Sequence, residues 1–223
     1  MRQLIESSRG RWSSWRLDRC ARSIIDTIDA PRFAAIRARY HDVDPAPGSS
    51  KYLDLPRWIR VAVSLARGMN LHRRRACDVL DLGTGCGYFP FVCRHYGHRP
   101  RAIDLGDNDL YNEVIELLGI DRRTCAIEAG VALPRFETRF DWVTAFMICF
   151  NNHGRNDLWG PAEWEFFLGD VVGNLLKPDG HLLLHFNPER DGRFMSPEIE
   201  KVFVRAGGSV DGGRVSLRAS ARG

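Results

Sequence analysis

Lysine is almost absent from this chain of 223 residues: Lys51, Lys177 and Lys201 are its only three, and the rest of its 32 basic residues are arginine. Guanidinium groups suit planar anionic partners such as carboxylates and phosphates. Against 28 acidic residues the net charge is only +4, too weak over this length to argue for nucleic acid. Long apolar runs are also lacking. The uncharged stretch around Val143 to Phe150 falls far short of the ~20 residues that span a bilayer, so no membrane partner is expected. The opening from Met1 to Trp12 has no apolar stretch of the kind a secretory signal needs, which makes a cytoplasmic location the expectation. The six cysteines (20, 77, 86, 93, 125 and 149) form no C-x-x-C pair; reduced thiols and no metal site are expected. Repeats and low-complexity tracts are missing too. A composition 44% hydrophobic and 27% charged excludes disorder, a collagen-like chain and a coiled coil.

What is present divides by pattern. Residues 1–75 carry helical periodicity. Leu17, Ala21, Ile24, Ile25 and Ile28 share one face, and a second helix opens at Pro31 with Phe33, Ile36 and Tyr40 inward. A connection from Asp42 to Ser50 is too rich in Pro, Gly and Ser for either periodic element. A third helix follows, with Asp54 as cap and Pro56 in its first turn. From Ala76 the pattern changes to short strands at 77–82, 101–105, 124–128, 142–149 and 181–187. Helices at 88–96, at 110–118 and from Pro161 to the Lys177-Pro-Asp-Gly180 stop alternate with them. A helix over 197–206 and a hairpin at Asp211-Gly-Gly213 close the chain. Such alternation predicts an α/β fold: a doubly wound, mostly parallel sheet with helices on both faces. The expected organisation is a helical cap over 1–75 and one compact α/β unit over 76–223.

The stretch Asp78-Val-Leu-Asp-Leu-Gly-Thr-Gly-Cys-Gly-Tyr88 is the most informative. A strand runs into alternating glycines, Gly83, Gly85 and Gly87, and a helix follows at once, the context in which a backbone cradles an anionic ligand. The D-x-G-x-G-x-G order resembles motif I of the class I S-adenosylmethionine-dependent methyltransferases, a Rossmann-like superfamily. Four more features are similar to it in chain order: Ile103-Asp104, Ile127-Glu128-Ala129, Phe140-Asp-Trp-Val-Thr-Ala-Phe146, and Leu176-Lys-Pro-Asp-Gly180 followed by His181-Leu-Leu-Leu184. Together they span residues 76–187, half the chain. The resemblance implies a seven-stranded sheet, S-adenosylmethionine as cofactor and S-adenosylhomocysteine as product. It also implies a cofactor site made by Asp81, Gly83, Thr84, Gly85, Gly87, Asp104, Leu105, Glu128, Ala129 and Phe146. Asp104 would accept from the ribose hydroxyls, and Glu128 and Ala129 would border the adenine.

In open α/β sheets ligands lie beyond the carboxyl ends of the strands, so the loop Phe150-Asn-Asn-His-Gly-Arg155 is expected to face the transferred methyl. His153 is its one titratable base, read as a general base, as a histidine that orients substrate, or as a merely exposed loop histidine. Asn151 and Asn152 are the candidate acceptor contacts there, with Tyr40 and Tyr52 at the ends of the breaker-rich connection as a possible lid. His185 reads as a satisfied core or rim histidine, and Trp159 and Trp164 as packing residues. No N/D-P-P-Y/F follows the fourth strand and no Pro-Cys pair occurs, which disfavours DNA-adenine, amide and cytosine C5 methylation. Transfer to an oxygen or nitrogen of a small molecule or sugar unit is the leading expectation. An RNA methyltransferase, suggested by Arg73-Arg-Arg75, and a non-catalytic cofactor-binding subunit stay open as alternatives.

Overall fold

The structure, a computed structural model, describes residues 14–43 and 48–220. The opening segment 1–13 and residues 44–47 of the breaker-rich connection, both interpreted above, lie outside the described residues. The chain forms two compact units with a boundary other than the expected 1–75 against 76–223. One unit takes the chain up to Ala76 together with residues 85–100 and 106–121; the other holds 77–84, 101–105 and everything from Arg122.

The helical unit contains α1 (Ser14–Ile25), α2 (Ala30–Arg39), α3 (Leu55–Gly68), α4 (Tyr88–His95) and α5 (Asp109–Leu118). Side-chain oxygens of Asp29, Asp54 and Asn108 accept from backbone N–H groups of the first turns of α2, α3 and α5, as capping requires. The apolar stripes read from sequence are the buried ones: Ala21 and Ile24 of α1, Phe33 and Ile36 of α2, Ile59, Ala62, Val63 and Ala66 of α3. Helix α3 packs against α1 and α4, and α2 against α5. This is why α4 and α5, though they follow sheet strands in sequence, belong with the N-terminal helices.

The sheet unit is built on β1 (Asp78–Leu82), β2 (Arg99–Asp104), β3 (Arg122–Thr124), β4 (Phe140–Ile148), β5 (Leu176–Phe186), β6 (Ser209–Asp211) and β7 (Arg214–Arg218). Their order is β3-β2-β1-β4-β5-β7-β6. Strand β4 runs parallel to β1 and β5, β3 runs parallel to β2, and β7 is antiparallel to both β5 and β6. Successive strand residues face opposite sides. Leu80 and Leu82, Val143 and Ala145, and Leu182 and Leu184 therefore fall on one side, in a single core with α6 (Pro161–Asp170) and α7 (Pro197–Arg205). Trp164 is fully buried at its centre, its ring 5.1 to 5.5 Å from those of Phe186, Trp159, Phe203 and Phe167. Both tryptophans are packing residues, as the sequence suggested. Among the described residues no helix is long and apolar enough to cross a membrane.

Three elements differ from expectation. Strand β3 ends at Thr124 rather than Glu128, because β2 ends at Asp104, Thr124's register partner. One further bond, Cys125 N–H to Asp104 C=O at 2.9 Å, exhausts the ladder. Strand β5 begins at Leu176, opposite Phe140, and resumes pairing at His181 opposite Trp142, so Lys177–Gly180 forms an irregularity inside the strand. The helix from Pro161 leaves α geometry at Asp170 and finishes as a π turn over Val171–Leu175. There the buried Asp170 carboxylate accepts from Leu133 N–H at 2.8 Å and Asn174 Nδ2 at 2.7 Å.

The indole Nε1 of Trp164 is buried without a hydrogen-bond partner among the described residues. Trp164→Ala is expected to cost about 3–5 kcal/mol of stability by opening a cavity. Trp164→Phe keeps the ring contacts and removes the orphan donor, so it should cost less than about 1.5 kcal/mol. Urea unfolding of both variants measures the contrast.

Candidate functional site

Strand β1 delivers Asp81 to the end of the sheet's centre. Its neighbours Leu80 and Leu82 point into the core, so the carboxyl faces the other way, yet it is only 3% exposed. Its Oδ2 accepts from Thr84 Oγ1 and its Oδ1 from Thr144 Oγ1 of β4, each at 2.7 Å. Burial pushes its pKa up to about 7, a rise that the two hydroxyls oppose and the nearby Asp104 charge reinforces. The Gly83 N–H donates to Ile103 C=O of β2 at 2.8 Å, which ties the loop to the neighbouring strand. Gly83, Gly85 and Gly87 all have positive φ, at 67°, 56° and 73°. At Gly87 a Cβ would lie 3.0 Å from Ile120 Cγ1 and 3.3 Å from Ile115 Cγ1, so crowding adds to the positive φ in favouring glycine. At Gly85 it would meet no protein atom within 4 Å: the backbone there is held in a glycine conformation beside open space.

Asp104 closes β2 half-exposed, its Oδ1 accepting from Leu105 N–H at 2.7 Å. Leu105 is 47% exposed, and Val131, beyond β3, 53%. Both are large apolar side chains beyond the carboxyl ends of adjacent strands. Glu128 and Ala129 are exposed in the irregular segment after the shortened β3. On β4, Phe146 is half-buried with its ring 5.0 Å from that of His185 on β5. The next residue, Met147, has φ of 55°, and the β4–β5 register shifts there. A non-glycine residue in this region is strained, and such bulges re-aim a strand end. His185 departs from expectation. It is 6% exposed, its Nε2 has no partner among the described residues, and burial followed by Arg214 lowers its pKa to about 4. It is a buried neutral histidine whose Nε2 makes no hydrogen bond among the described residues.

The loop after β4 separates its candidates. Asn152, at φ 61°, donates from Nδ2 to Asp157 C=O and Oδ2 at 3.0 and 3.2 Å, so its amide is spent on the loop. Asn151 is 4% exposed, with Oδ1 unpartnered among the described residues. His153 Nδ1 lies 2.8 Å from Glu189 Oε1, while Gly154 N–H donates to Glu189 Oε2 at 3.0 Å. The sequence reading missed Glu189. Its signal was the position after β5, since loops that follow adjacent parallel strands emerge side by side. A cavity of about 310 Å³ opens beside this pair, walled by Gly154 and Arg155 from one loop and Glu189, Arg190 and Arg193 from the other.

Tyr40 and Tyr52 are engaged within the helical unit. The Tyr40 hydroxyl donates to Glu113 Oε1 at 2.8 Å. The Tyr52 ring packs 4.5 Å from Trp58 and 5.5 Å from Tyr111, and its carbonyl accepts from Tyr88 Oη at 2.7 Å.

No family model and no curated protein matches the chain. Solved structures do. A TehB-like S-adenosylmethionine-dependent methyltransferase from Corynebacterium glutamicum superposes with a TM-score of 0.53 at 18% identity, covering 78% of this chain and 98% of that one. DesVI of Streptomyces venezuelae gives 0.52 at 14% identity, covering 74% and 92%. The 1,6-didemethyltoxoflavin-N1-methyltransferase of Burkholderia thailandensis, with its substrate and S-adenosylhomocysteine bound, gives 0.50 at 21%, covering 85% and 89%. This is the class I methyltransferase fold. In that fold the glycine loop after β1 and the loops after β2, β4 and β5 all leave the sheet at its carboxyl edge, where open α/β sheets take their ligands.

The buried Asp81 of this methyltransferase fold gives a measurable pH signature. An aspartate in an unfolded chain titrates near 3.9, and the folded group at about 7. Between those values the unfolded chain has released a proton that the folded protein retains, so Asp81 contributes stability that is present at about pH 4 and lost by about pH 7. Urea midpoints of Asp81→Asn relative to wild type should improve steadily across that window and stay level above it. Parallel profiles would contradict the assignment.

Proposed function

We propose that the protein is an S-adenosylmethionine-dependent methyltransferase acting on an oxygen or nitrogen of a small molecule or sugar unit, in the cytoplasm. The observation that carries this reading is the clearance at Gly85. A backbone in left-handed geometry, with no protein atom where a side chain would stand, suits the close approach of a large ligand. The other residues fit the same cofactor. The Asp104 carboxylate, oriented by the Leu105 N–H, has acceptor capacity for two ribose hydroxyls. Exposed Leu105 and Val131 offer apolar surface for a flat base, with Glu128 and Ala129 at its edge. Thr84 and Asp81 hold the loop, and Phe146 lies two residues before the end of β4, the strand that faces the reacting group.

S-adenosylmethionine supplies a methyl group already activated on a sulfonium and leaves as S-adenosylhomocysteine. The protein's task is to hold the acceptor in line and to receive its proton. With the Nδ1–H of His153 donated to Glu189, its Nε2 carries the lone pair and is the proton acceptor. Glu189, fixed by the Gly154 N–H, then stabilises the imidazolium that forms. Asn151, with its buried unpartnered Oδ1, is the candidate for orienting the acceptor. Asn152, Tyr40 and Tyr52 have structural partners and are assigned no part in it.

Calorimetry should detect S-adenosylmethionine and S-adenosylhomocysteine at micromolar affinity, around −8 kcal/mol. Asp104→Ala should weaken both by about 1.5–3 kcal/mol and leave the urea midpoint of the free protein unchanged. His153→Ala should keep cofactor affinity and lower methyl transfer by about 10²–10⁴-fold. Absence of binding to the folded wild-type protein would overturn the reading. Cofactor binding joined to salt-dependent RNA binding, without transfer to small acceptors, would move it to a nucleic-acid substrate.

A further inference from the structure

The charges around the cavity beside His153 pair off in all but one case. Arg155 is held by Asp157 through two parallel bonds, at 3.0 and 3.1 Å. Arg193 is held by Asp191 at 2.7 Å through Nε and 2.6 Å through Nη2, and the Arg193 backbone N–H and guanidinium lower the Asp191 pKa. Glu189 has one oxygen on His153 and the other on Gly154 N–H. Arg190 lines the same cavity, and among the described residues it has no carboxylate partner. It also stands on a rigid base: Gly192 N–H donates to Glu189 C=O at 2.9 Å, and Glu189 N–H to Arg193 C=O at 2.7 Å. Base-holder and spare cation are thus consecutive residues of one pinned turn.

We propose that this cavity binds the acceptor through an anionic group, a carboxylate or a phosphate, recognised by the guanidinium of Arg190. The term acceptor rests on the function proposed above; the binding of an anion does not. Neither acid that lines the cavity offers a free acceptor face to a cationic ligand among the described residues: Asp191 is held by Arg193, and each Glu189 oxygen already accepts from His153 or Gly154. A planar, permanently charged fork is suited to two-oxygen anions. The volume, about 310 Å³, is at the small end for ligand pockets and fits a compact acid. Leu158 and Met195 supply apolar wall for its skeleton. Glu189 lines the same cavity, so an anion on Arg190 would lie against the residue that contacts His153.

Calorimetry with three probes tests this on the full chain: 4-hydroxybenzoate, phenyl phosphate and the neutral 4-hydroxybenzamide. At least one acid should bind at least tenfold more tightly than the amide at low salt, and the advantage should shrink as salt is raised. Arg190→Gln should remove that advantage, a loss of about tenfold or more, with the urea midpoint unchanged. Whichever acid shows the Arg190-dependent gain identifies the anion as carboxylate or phosphate. Equal binding of acids and amide, no binding of either acid, or an advantage that survives in Arg190→Gln would overturn the proposal. Titration of S-adenosylmethionine into the same samples separates the two claims. Cofactor binding without acid binding defeats only the pocket, whereas Arg190-dependent acid binding without cofactor binding defeats only the methyltransferase reading.

Discussion

A carboxyl group buried at the end of β1, between hydroxyls from the following loop and from β4, is the constraint on which the site depends. Asp81 cannot be relieved by water, so its stability relies on Thr84 and Thr144 staying in place. Thr84 belongs to the glycine loop, and that bond therefore fixes the loop's departure from the strand. The Gly83 N–H bond to Ile103 C=O does the same from the β2 side, and Ile103 immediately precedes Asp104. The polar network thus links the end of β1 to the middle of β4 and to the end of β2, the three strands that carry the proposed cofactor contacts. A group titrating near neutrality in such a position is a local weakness that the fold tolerates in exchange for a rigid loop.

Farther along the edge the determining fact is sheet order. Strands β4 and β5 are parallel neighbours, so the loops that leave their carboxyl ends meet although His153 and Glu189 are 36 residues apart. The left-handed Met147 redirects β4 just before its loop, and Asn187 Nδ2 donates to Ile148 C=O at 3.2 Å, joining the two exits. The histidine is then oriented by a carboxylate whose second oxygen is occupied by backbone. Such a pair differs from a loose surface contact because the partner cannot swing away to solvent. His185, on β5 itself, is neutral by burial.

How much of this the sequence carried depends on the range of the interaction. Glycine at 83, 85 and 87, the Asp54 cap and the strand-to-helix alternation are local constraints, and each was legible. The ends of β3 and β5 were not, because a strand's length is set by its partner: Cys125 and Ile127 alternate like strand residues, yet β2 has already stopped at Asp104. The packing of two helices is also long-range. Helices α4 and α5 follow strands in the chain but pack with α3 and α2, a tertiary preference with no trace in periodicity. Glu189 was invisible because nothing near it in sequence marks it; only the adjacency of β4 and β5 gives it a role. The family-like features located the ends of β1 and β2 but not that of β3, and they said nothing about which loop side chains point at each other.

The near-absence of lysine acquires a physical meaning once the partners are known. Lys177 stands where two carboxylates from different strands, Asp78 and Asp141, converge on one point at 2.6 and 2.8 Å, a geometry that suits a compact ammonium better than a fork. Several arginines, by contrast, meet pairs of acceptors lying side by side. Arg94 donates to the carbonyls of Leu118 and Gly119 at the end of α5, and Arg139 to those of Gly173 and Leu176 around the π turn. Arg155 and Arg193 each grip a single carboxylate with two nitrogens. The chain therefore consumes much of its guanidinium capacity internally, which is why a composition so rich in arginine does not by itself signal a polyanionic partner. The same reasoning makes Arg190 informative: a guanidinium lining a cavity, on a hydrogen-bonded turn and without a described carboxylate partner, has its two-oxygen recognition face still available.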